Sequence, residues 1–142
     1  RFHVYAGDAI ELSNGRFAIV GGGADIEAVT VSFINSDGTK HSDFGGSAST
    51  LYMGSSLAPN ESGGVFAIFR EHDGSQLVEL NSNAIPTSTI YSLGEDYYTF
   101  GKGIIKNKDK SLTLLMRASE NEANNWSDII WDIIVKRIPL EY

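Results

Sequence analysis

The sequence predicts a single all-β domain over residues 1–142, an antiparallel β-sandwich or jelly roll with little helix. A β-prism or a barrel fits the same pattern. Three observations carry this prediction. Turn-forming dipeptides separate apolar runs, the runs alternate in polarity, and about ten or eleven short segments recur at spacings of roughly 8–12 residues. The 142 residues are the usual size of one domain, and no change in composition divides them.

The turn signals predict hairpins. Asn-Gly and Asp-Gly pairs accept the positive φ angles of a type I′ turn, whose twist suits the flanking strands. A further turn is expected at Asn107-Lys108-Asp109, between two apolar runs. Residues 55–64 and 81–88 are rich in turn-forming residues and are predicted to be loops. No segment repeats at a fixed period. The pairs that predict hairpins are Asn14-Gly15, Asp37-Gly38 and Asp73-Gly74.

The runs between these turns alternate as strands do. Residues 29–33, 65–70 and 112–117 place apolar side chains at every second position, with mixed residues between them. This pattern indicates strands that are covered on one face and partly covered on the other. Residues 128–138 are dense in β-branched residues and predict a long central strand, with an amphipathic helix as the alternative. Gly21-Gly22-Gly23 is interpreted as a turn or a bulge.

The composition excludes several functions. There is no cysteine, so disulfides, thiolate chemistry and cysteine-based zinc sites are ruled out. The net charge of −7, from 18 acidic and 11 basic side chains, repels phosphate backbones, so nucleic acid is not an expected partner. No apolar stretch approaches the ~20 residues that span a bilayer, so membrane insertion is not expected. The chain begins at Arg1 rather than Met, and we expect a processed product or an excised piece.

The patterns for catalysis and metal binding are incomplete. No two of the three histidines have a spacing that suits a shared metal, and no serine lies in a Gly-x-Ser-x-Gly elbow. Glu95 and Asp96 would point to opposite faces of a strand. Asp128 and Asp132 would share a face but lie ~13 Å apart, whereas glycoside hydrolysis needs about 5–9 Å. We therefore expect no catalytic residue, no metal site and no cofactor.

Aromatic residues among small polar ones give the strongest binding signal. Sugars are bound by this combination, because an aromatic face covers the C–H side of the ring while amides and carboxylates hold the hydroxyls. Trp126 lies in an amide-rich segment, and its alternative role is a core position at a strand end. His72 and Asp73 are secondary candidates at a predicted hairpin tip. The predicted ligand-binding residues are Trp126, Asn124, Asn125, Asp128, Tyr97, His72 and Asp73.

One stretch resembles a known lectin family. Residues 23–33, followed by Asp37-Gly38-Thr39, His41 and Gly45-Gly46, are similar to the strand, hairpin and Gly-Gly section of jacalin-like β-prism lectins. The resemblance implies a sheet domain with a sugar-binding loop. It covers this stretch alone: no second or third copy of the hairpin follows, and no Gly-x-x-x-Asp sugar loop lies near the C-terminus.

These observations together predict a non-catalytic binding module. A lectin-like β-sandwich would hold a carbohydrate or glycoconjugate on its loops, outside the cell or on a cell or virion surface. The alternative is the receptor-binding head of a trimeric fibre or appendage, which would bury an apolar patch between subunits. A small hydrolase is the second alternative and needs a pocket with convergent titratable groups. A homo-oligomer fits either of the first two.

Overall fold

The computed structural model describes residues 4–23, 29–45, 53–70, 75–93, 98–119 and 132–140. These residues form antiparallel β-strands and no helix, so the all-β prediction is confirmed. The strands are β1 (Val4–Glu11), β2 (Phe17–Gly23), β3 (Val29–Ile34), β4 (Lys40–Gly45), β5 (Met53–Pro59), β6 (Val65–Arg70), β7 (Ser75–Leu80), β8 (Pro86–Leu93), β9 (Tyr98–Lys106), β10 (Leu112–Ser119) and β11 (Asp132–Ile138).

The strands form a sandwich-like stack of three layers, each a meander of strands that follow one another in the chain. Layer 1 contains β1–β4, layer 2 contains β5–β8 and layer 3 contains β9–β11. A single residue pair, Gly22 with Met53, links layers 1 and 2 into one eight-stranded hydrogen-bonded sheet. That sheet folds over on itself, because side chains of both layers meet in one apolar core.

Two apolar cores separate the three layers, and β6 contributes to both. Core 1 lies between layers 1 and 2 and includes Val65 and Phe69 of β6. Core 2 lies between layers 2 and 3 and includes Phe66 and Ile68. Burying each such side chain contributes about 1.5–3 kcal/mol. The sequence pattern predicted partial cover for one face of this strand, whereas the described side chains of β6 are buried on both faces.

Five hairpins in the described part of the chain close with the same turn. We number these turns 1 to 5: residues 12–16, 35–39, 60–64, 81–85 and 107–111. In each, the backbone N–H of the first residue donates to the carbonyl of the fifth. The fourth residue has a positive φ, from 61° at Ala84 to 85° at Gly38. This is a type I turn followed by a bulge residue. The predicted type I′ turn is wrong at Asn14-Gly15 and Asp37-Gly38, because it would need positive φ at both residues of each pair and only the glycines have it.

The side chains that hold this turn come from two different positions. In turns 1, 2 and 5 the third residue accepts a hydrogen bond from the backbone N–H of the fifth, as Asp37 does from Thr39 at 2.9 Å. In turns 3 and 4 the first residue accepts it, as Asn60 does from Gly64 at 2.7 Å. Turns at equivalent places in successive layers recur at intervals of 46 to 48 residues: turns 1, 3 and 5 begin at residues 12, 60 and 107, and turns 2 and 4 begin at residues 35 and 81. The sequence analysis found no fixed period because two different positions supply the side-chain acceptor.

Three sequence predictions are corrected by the strand boundaries. The predicted loop over 55–64 contains the second part of β5 and turn 3, and the predicted loop over 81–88 contains turn 4 and the start of β8. Pro59 ends β5 and Pro86 begins β8. At these positions the missing N–H of proline disrupts the hydrogen bonds between strands least. Gly21-Gly22-Gly23 belongs to β2, and the irregularity lies opposite, between Ala6 and Asp8 of β1.

The segment 128–138 is also corrected in part. Its described residues form β11, which pairs with β10 alone among the described strands and therefore lies at an edge rather than in the centre. The remaining residues of that segment lie outside the described part of the chain. The predicted Asp73-Gly74 turn does so too, although β6 and β7, which flank it, pair in antiparallel register.

Candidate functional site

Side chains in or beside the turns make contacts between layers along one edge of the stack. Alternate connections of an antiparallel meander fall on the same side, so turns 1 to 4 share an end within their layers. Arg16 of turn 1 donates from Nη1 to the carbonyl of Ser82 in turn 4, at 3.5 Å. Nε2 of His41 lies 3.2 Å from Oδ1 of Asn83. Lys106 of β9 forms an ion pair with Glu61 of turn 3. Each layer therefore contributes to one polar surface.

Asn60 fixes turn 3 within this surface. Its side chain is buried, and Oδ1 accepts the backbone N–H groups of Ser62 at 3.1 Å and Gly64 at 2.7 Å. Nδ2 donates to the carbonyl of Leu80 and to Oε1 of Glu79, each at 3.1 Å. Asn60 begins an Asn-Glu-Ser glycosylation sequon, but both polar atoms of its amide are engaged. The folded chain therefore offers no free amide nitrogen there for a glycan.

Gly64 allows the backbone of turn 3 to lie directly against turn 4. A Cβ at this position would lie 2.0 Å from the carbonyl oxygen of Leu80 and 2.6 Å from the carbonyl carbon of Asn81. No side chain fits in that space, so only glycine permits the contact. The close approach positions Glu79, which precedes Leu80 on β7, beside turn 3.

A cleft of about 490 Å³ opens beside turn 3. The side chains around it combine carboxylates and hydroxyls with apolar groups, of which Ile90 and Leu140 also pack against core 2. Oε2 of Glu79 accepts a hydrogen bond from Oγ of Ser88 at 3.3 Å, across the pairing of β7 with β8. The lining residues are Glu61, Ser62, Phe66, Glu79, Ser88, Ile90, Pro139 and Leu140.

The carboxylate of Glu61 is held in its charged form. The hydrogen bond from Lys106, reinforced by the charges of Lys106 and Lys110, lowers the pKa of Glu61 below its ordinary value. Hydrogen bonds from Thr39 lower the pKa of Asp37 in turn 2. A carboxyl group with a lowered pKa accepts hydrogen bonds and does not donate a proton near neutral pH. The cleft therefore presents Glu61 as a fixed acceptor.

Two further carboxyls of the described chain have shifted pKa values, both downward. For Asp43, burial acts to raise the pKa, but hydrogen bonds from Lys40 and Ser32 and the charge of Lys40 outweigh it. For Asp109, hydrogen bonds from Ser111 lower the pKa, and Arg137 adds to the effect. These groups serve as structural acceptors at strand and turn positions.

A second hollow, of about 330 Å³, lies beside turn 5. Its polar groups bond to one another: Arg137 forms an ion pair with Asp109 and donates from Nε to Ser111 at 3.0 Å. Asn107 donates to Thr113 at 2.9 Å. These groups bond to one another, and the hollow is smaller than the cleft at turn 3.

The residues predicted from the sequence to bind a ligand lie outside the described part of the chain. This holds for Trp126, Asn124, Asn125, Asp128, Tyr97, His72 and Asp73. They remain predictions. The cleft residues were missed because strand pairing brings them together, as when register places Glu79 opposite Ser88. One sequence signal marks this region: turns 3 and 4 each begin with an asparagine, Asn60 and Asn81.

Over the described ranges, no three His, Asp or Glu side chains gather in a way that would hold a metal ion. No helix long and apolar enough to cross a membrane occurs in that same part of the chain. Comparison with family models, curated proteins and solved structures found no match to this chain. The functional argument therefore rests on the geometry of the turns and the cleft.

Proposed function

We propose that the protein is a non-catalytic binding module, and that the cleft beside turn 3 holds a carbohydrate or a related hydroxyl-rich ligand. The observation that carries the proposal is the composition of this cleft. Glu61 and Glu79 supply acceptors that are fixed by Lys106, Asn60 and Ser88. Fixed acceptors suit ligands whose surface is rich in O–H donors.

The apolar part of the lining supports the same ligand class. Ile90, Pro139 and Leu140 offer C–H groups beside the two carboxylates. A sugar ring has one face rich in C–H bonds and a rim of hydroxyls, so it matches a lining of this mixed kind. The volume of about 490 Å³ lies within the usual range for ligand clefts, roughly 300–1,000 Å³.

The electrostatics support binding rather than hydrolysis. A glycosidase needs a carboxyl whose pKa is raised, so that it can protonate the leaving oxygen. The pKa of Glu61 is shifted in the opposite direction, by its hydrogen bond and ion pair with Lys106. A lectin-like role on a cell or virion surface remains part of this proposal, and Trp126 and its neighbours remain candidate contacts for the same ligand.

A glycan array followed by titration calorimetry tests the proposal. We expect the wild-type protein to bind at least one glycan. We expect Glu79→Gln, which keeps an acceptor for Asn60 but removes the charge, to weaken binding about tenfold, or 1.4 kcal/mol. Glu11→Gln changes an exposed carboxylate on β1 and serves as the matched control, with unchanged affinity expected.

Two results contradict the proposal. One is a wild-type protein that binds no glycan on the array. The other is a glycan whose affinity is the same for wild type, Glu79→Gln and Ser88→Ala. In that second case, loss of binding in Trp126→Ala would place the sugar on the segment that contains Trp126 instead of in this cleft.

A further inference from the structure

The outer face of layer 3 exposes four large apolar side chains. Ile105, Leu115, Ile133 and Val135 are 64%, 43%, 77% and 67% exposed, respectively. Leu115 lies directly opposite Val135 in the register of β10 with β11, so the two share a face. Thr113 and Arg137 lie on the same face, in the row of the register that contains Ile105. A cluster of exposed apolar side chains marks an interaction site more often than isolated ones do.

The outer face of layer 1 also presents apolar side chains. Phe17 and Ile19 on β2 are 41% and 40% exposed. Ile34 lies opposite Phe17 on β3 and is half-buried on the same face. Exposed apolar side chains thus lie on the outer faces of both layer 1 and layer 3.

The positions of these residues along their strands show how the two faces are related. β2, β6 and β10 each begin directly after a turn, at Phe17, Val65 and Leu112. We call the face towards the preceding layer the back, and the face towards the following layer the front. In β6 and β10 the first and third residues form the back and are buried, in core 1 for β6 and in core 2 for β10.

Phe17 and Ile19 are the first and third residues of β2, so they are the back face of layer 1. The second and fourth residues form the front. Ala18 and Val20 of β2 pack in core 1, and Phe66 and Ile68 of β6 pack in core 2. The fourth residue of β10 is Leu115, so the exposed face of layer 3 is a front.

Both internal interfaces therefore join a front to a back, and among the described residues the front of layer 3 and the back of layer 1 have no such partner. We propose that the front face of layer 3 docks on the back face of layer 1 of a second copy of this chain, head to tail. The contact would repeat, between chains, the arrangement that already joins layer 1 to layer 2 and layer 2 to layer 3. A head-to-tail contact of this kind forms a ring if it closes and a filament if it does not.

Two variants that each disable one face test the proposal. The front variant carries Ile133→Lys and Val135→Lys, and the back variant carries Phe17→Lys and Ile19→Lys. Ile85→Lys is the matched control, since Ile85 is exposed in turn 4 and lies on neither face. Far-UV circular dichroism and a cooperative thermal transition establish that each variant is folded. Masses are measured by sedimentation at up to about 100 μM, where an interface of micromolar affinity is populated.

We expect the wild type and Ile85→Lys to form dimers or larger assemblies, and each face variant alone to be monomeric. An equimolar mixture of the two face variants should form a heterodimer and stop there, because one intact front and one intact back remain. A wild type that is monomeric throughout would overturn the proposal. A back variant that assembles by itself would also overturn it, because that would require front-to-front contact.

Discussion

Turns 3 and 5 have the same backbone geometry but are stabilised in different ways. In turn 3, Asn60 is buried at 6% exposure and bonds to the backbone of the neighbouring hairpin at Leu80. In turn 5, Asp109 accepts from Ser111 and pairs with Arg137, at the surface. Turn 3 has glycine at the positive-φ position, and turn 5 has Lys110 with φ of 69°.

This difference follows from the place of each turn in the stack. Turn 3 belongs to the middle layer and packs against turn 4. Contacts with Leu80 and Asn81 therefore restrict which residues fit at positions 60 and 64. Turn 5 belongs to layer 3, where short polar contacts within the sheet suffice to hold it. The same local structure can therefore tolerate substitution in one place and resist it in another.

Gly64→Ala is expected to have the largest effect. The added methyl would lie 2.0 Å from the carbonyl oxygen of Leu80, so the two hairpins must separate. We expect a loss of at least about 3 kcal/mol in the free energy of unfolding, measured by urea denaturation. Gly15→Ala is the control, since the added methyl would lie within 4 Å of no atom beyond its own chain neighbours. It should lose only about 1 kcal/mol, from its positive φ. Equal losses for the two variants would refute the packing argument.

Comparing Asn60→Ala with Asn107→Ala measures how much a side chain stabilises turn 3 and how much the corresponding side chain stabilises turn 5. Removing Asn60 leaves the N–H of Gly64 and the carbonyl of Leu80 without their side-chain partner in a buried place. We expect a loss of about 2–3 kcal/mol. The bonds of Asn107 to Ser111 and Thr113 are only partly buried, whereas those of Asn60 to Gly64 and Leu80 are buried. Removing Asn107 should therefore cost about 1 kcal/mol. A larger loss for Asn107→Ala in urea denaturation would reverse the comparison.

Lys110→Gly is expected to stabilise the protein. Lys110 has a φ of 69°, which costs a residue with a Cβ about 1–2 kcal/mol, and glycine avoids this strain. The greater freedom of glycine in the unfolded chain offsets part of the gain, so we expect a net increase of about 0.5 kcal/mol. The reverse change in turn 3, Gly63→Ala, should destabilise. The midpoints of thermal unfolding report both, and a lower midpoint for Lys110→Gly would contradict the account.

The smallest expected effect is an acid sensitivity carried in part by turn 5. The folded pKa of Asp109 is lowered by Ser111 and Arg137. A lowered pKa gives stability that is present above the unfolded value, about 3.9, and is lost as the pH falls through the folded value. The urea midpoint should therefore be flat above about pH 5 and fall below about pH 4. The urea midpoint of Asp109→Asn should fall less steeply with decreasing pH than that of the wild type. An identical slope would show that Asp109 does not contribute to the acid sensitivity.

Much of the fold could be predicted from the sequence because it depends on local signals. Alternation over 65–70 and 112–117, together with the turns at Gly15, Gly38 and Asp109, is enough to predict antiparallel strands. The turn type was wrong because an Asn-Gly pair fits both a two-residue turn and the last two residues of a three-residue one. Turns 3 and 4 were assigned to loops because proline and serine lie close to them.

The cleft could not be predicted, because register and layer stacking create it. Glu61 and Glu79 lie in different strand–turn units, and the Asn60 bond to Glu79 joins them only when Gly64 lets the hairpins touch. No spacing in the sequence encodes that contact. The two exposed faces could not be predicted for a similar reason. Phe17 and Val65 are both the first residue of a strand, but Phe17 is exposed and Val65 is buried because only β6 has a layer behind it in the described part of the chain. Leu115 and Phe66 are both front residues, but only Phe66 is covered by a following layer among the described residues.

Native-state hydrogen exchange of β6 against β11 tests the three-layer stack most directly. β6 carries buried side chains of both cores and pairs with β5 and β7, whereas β11 pairs with β10 alone among the described strands. We expect the amides of β6 to exchange only through global unfolding, with opening free energies that follow the urea dependence of the whole protein. Those of β11 should exchange through smaller openings. Exchange of β6 as fast as β11 would contradict a strand shared between two cores.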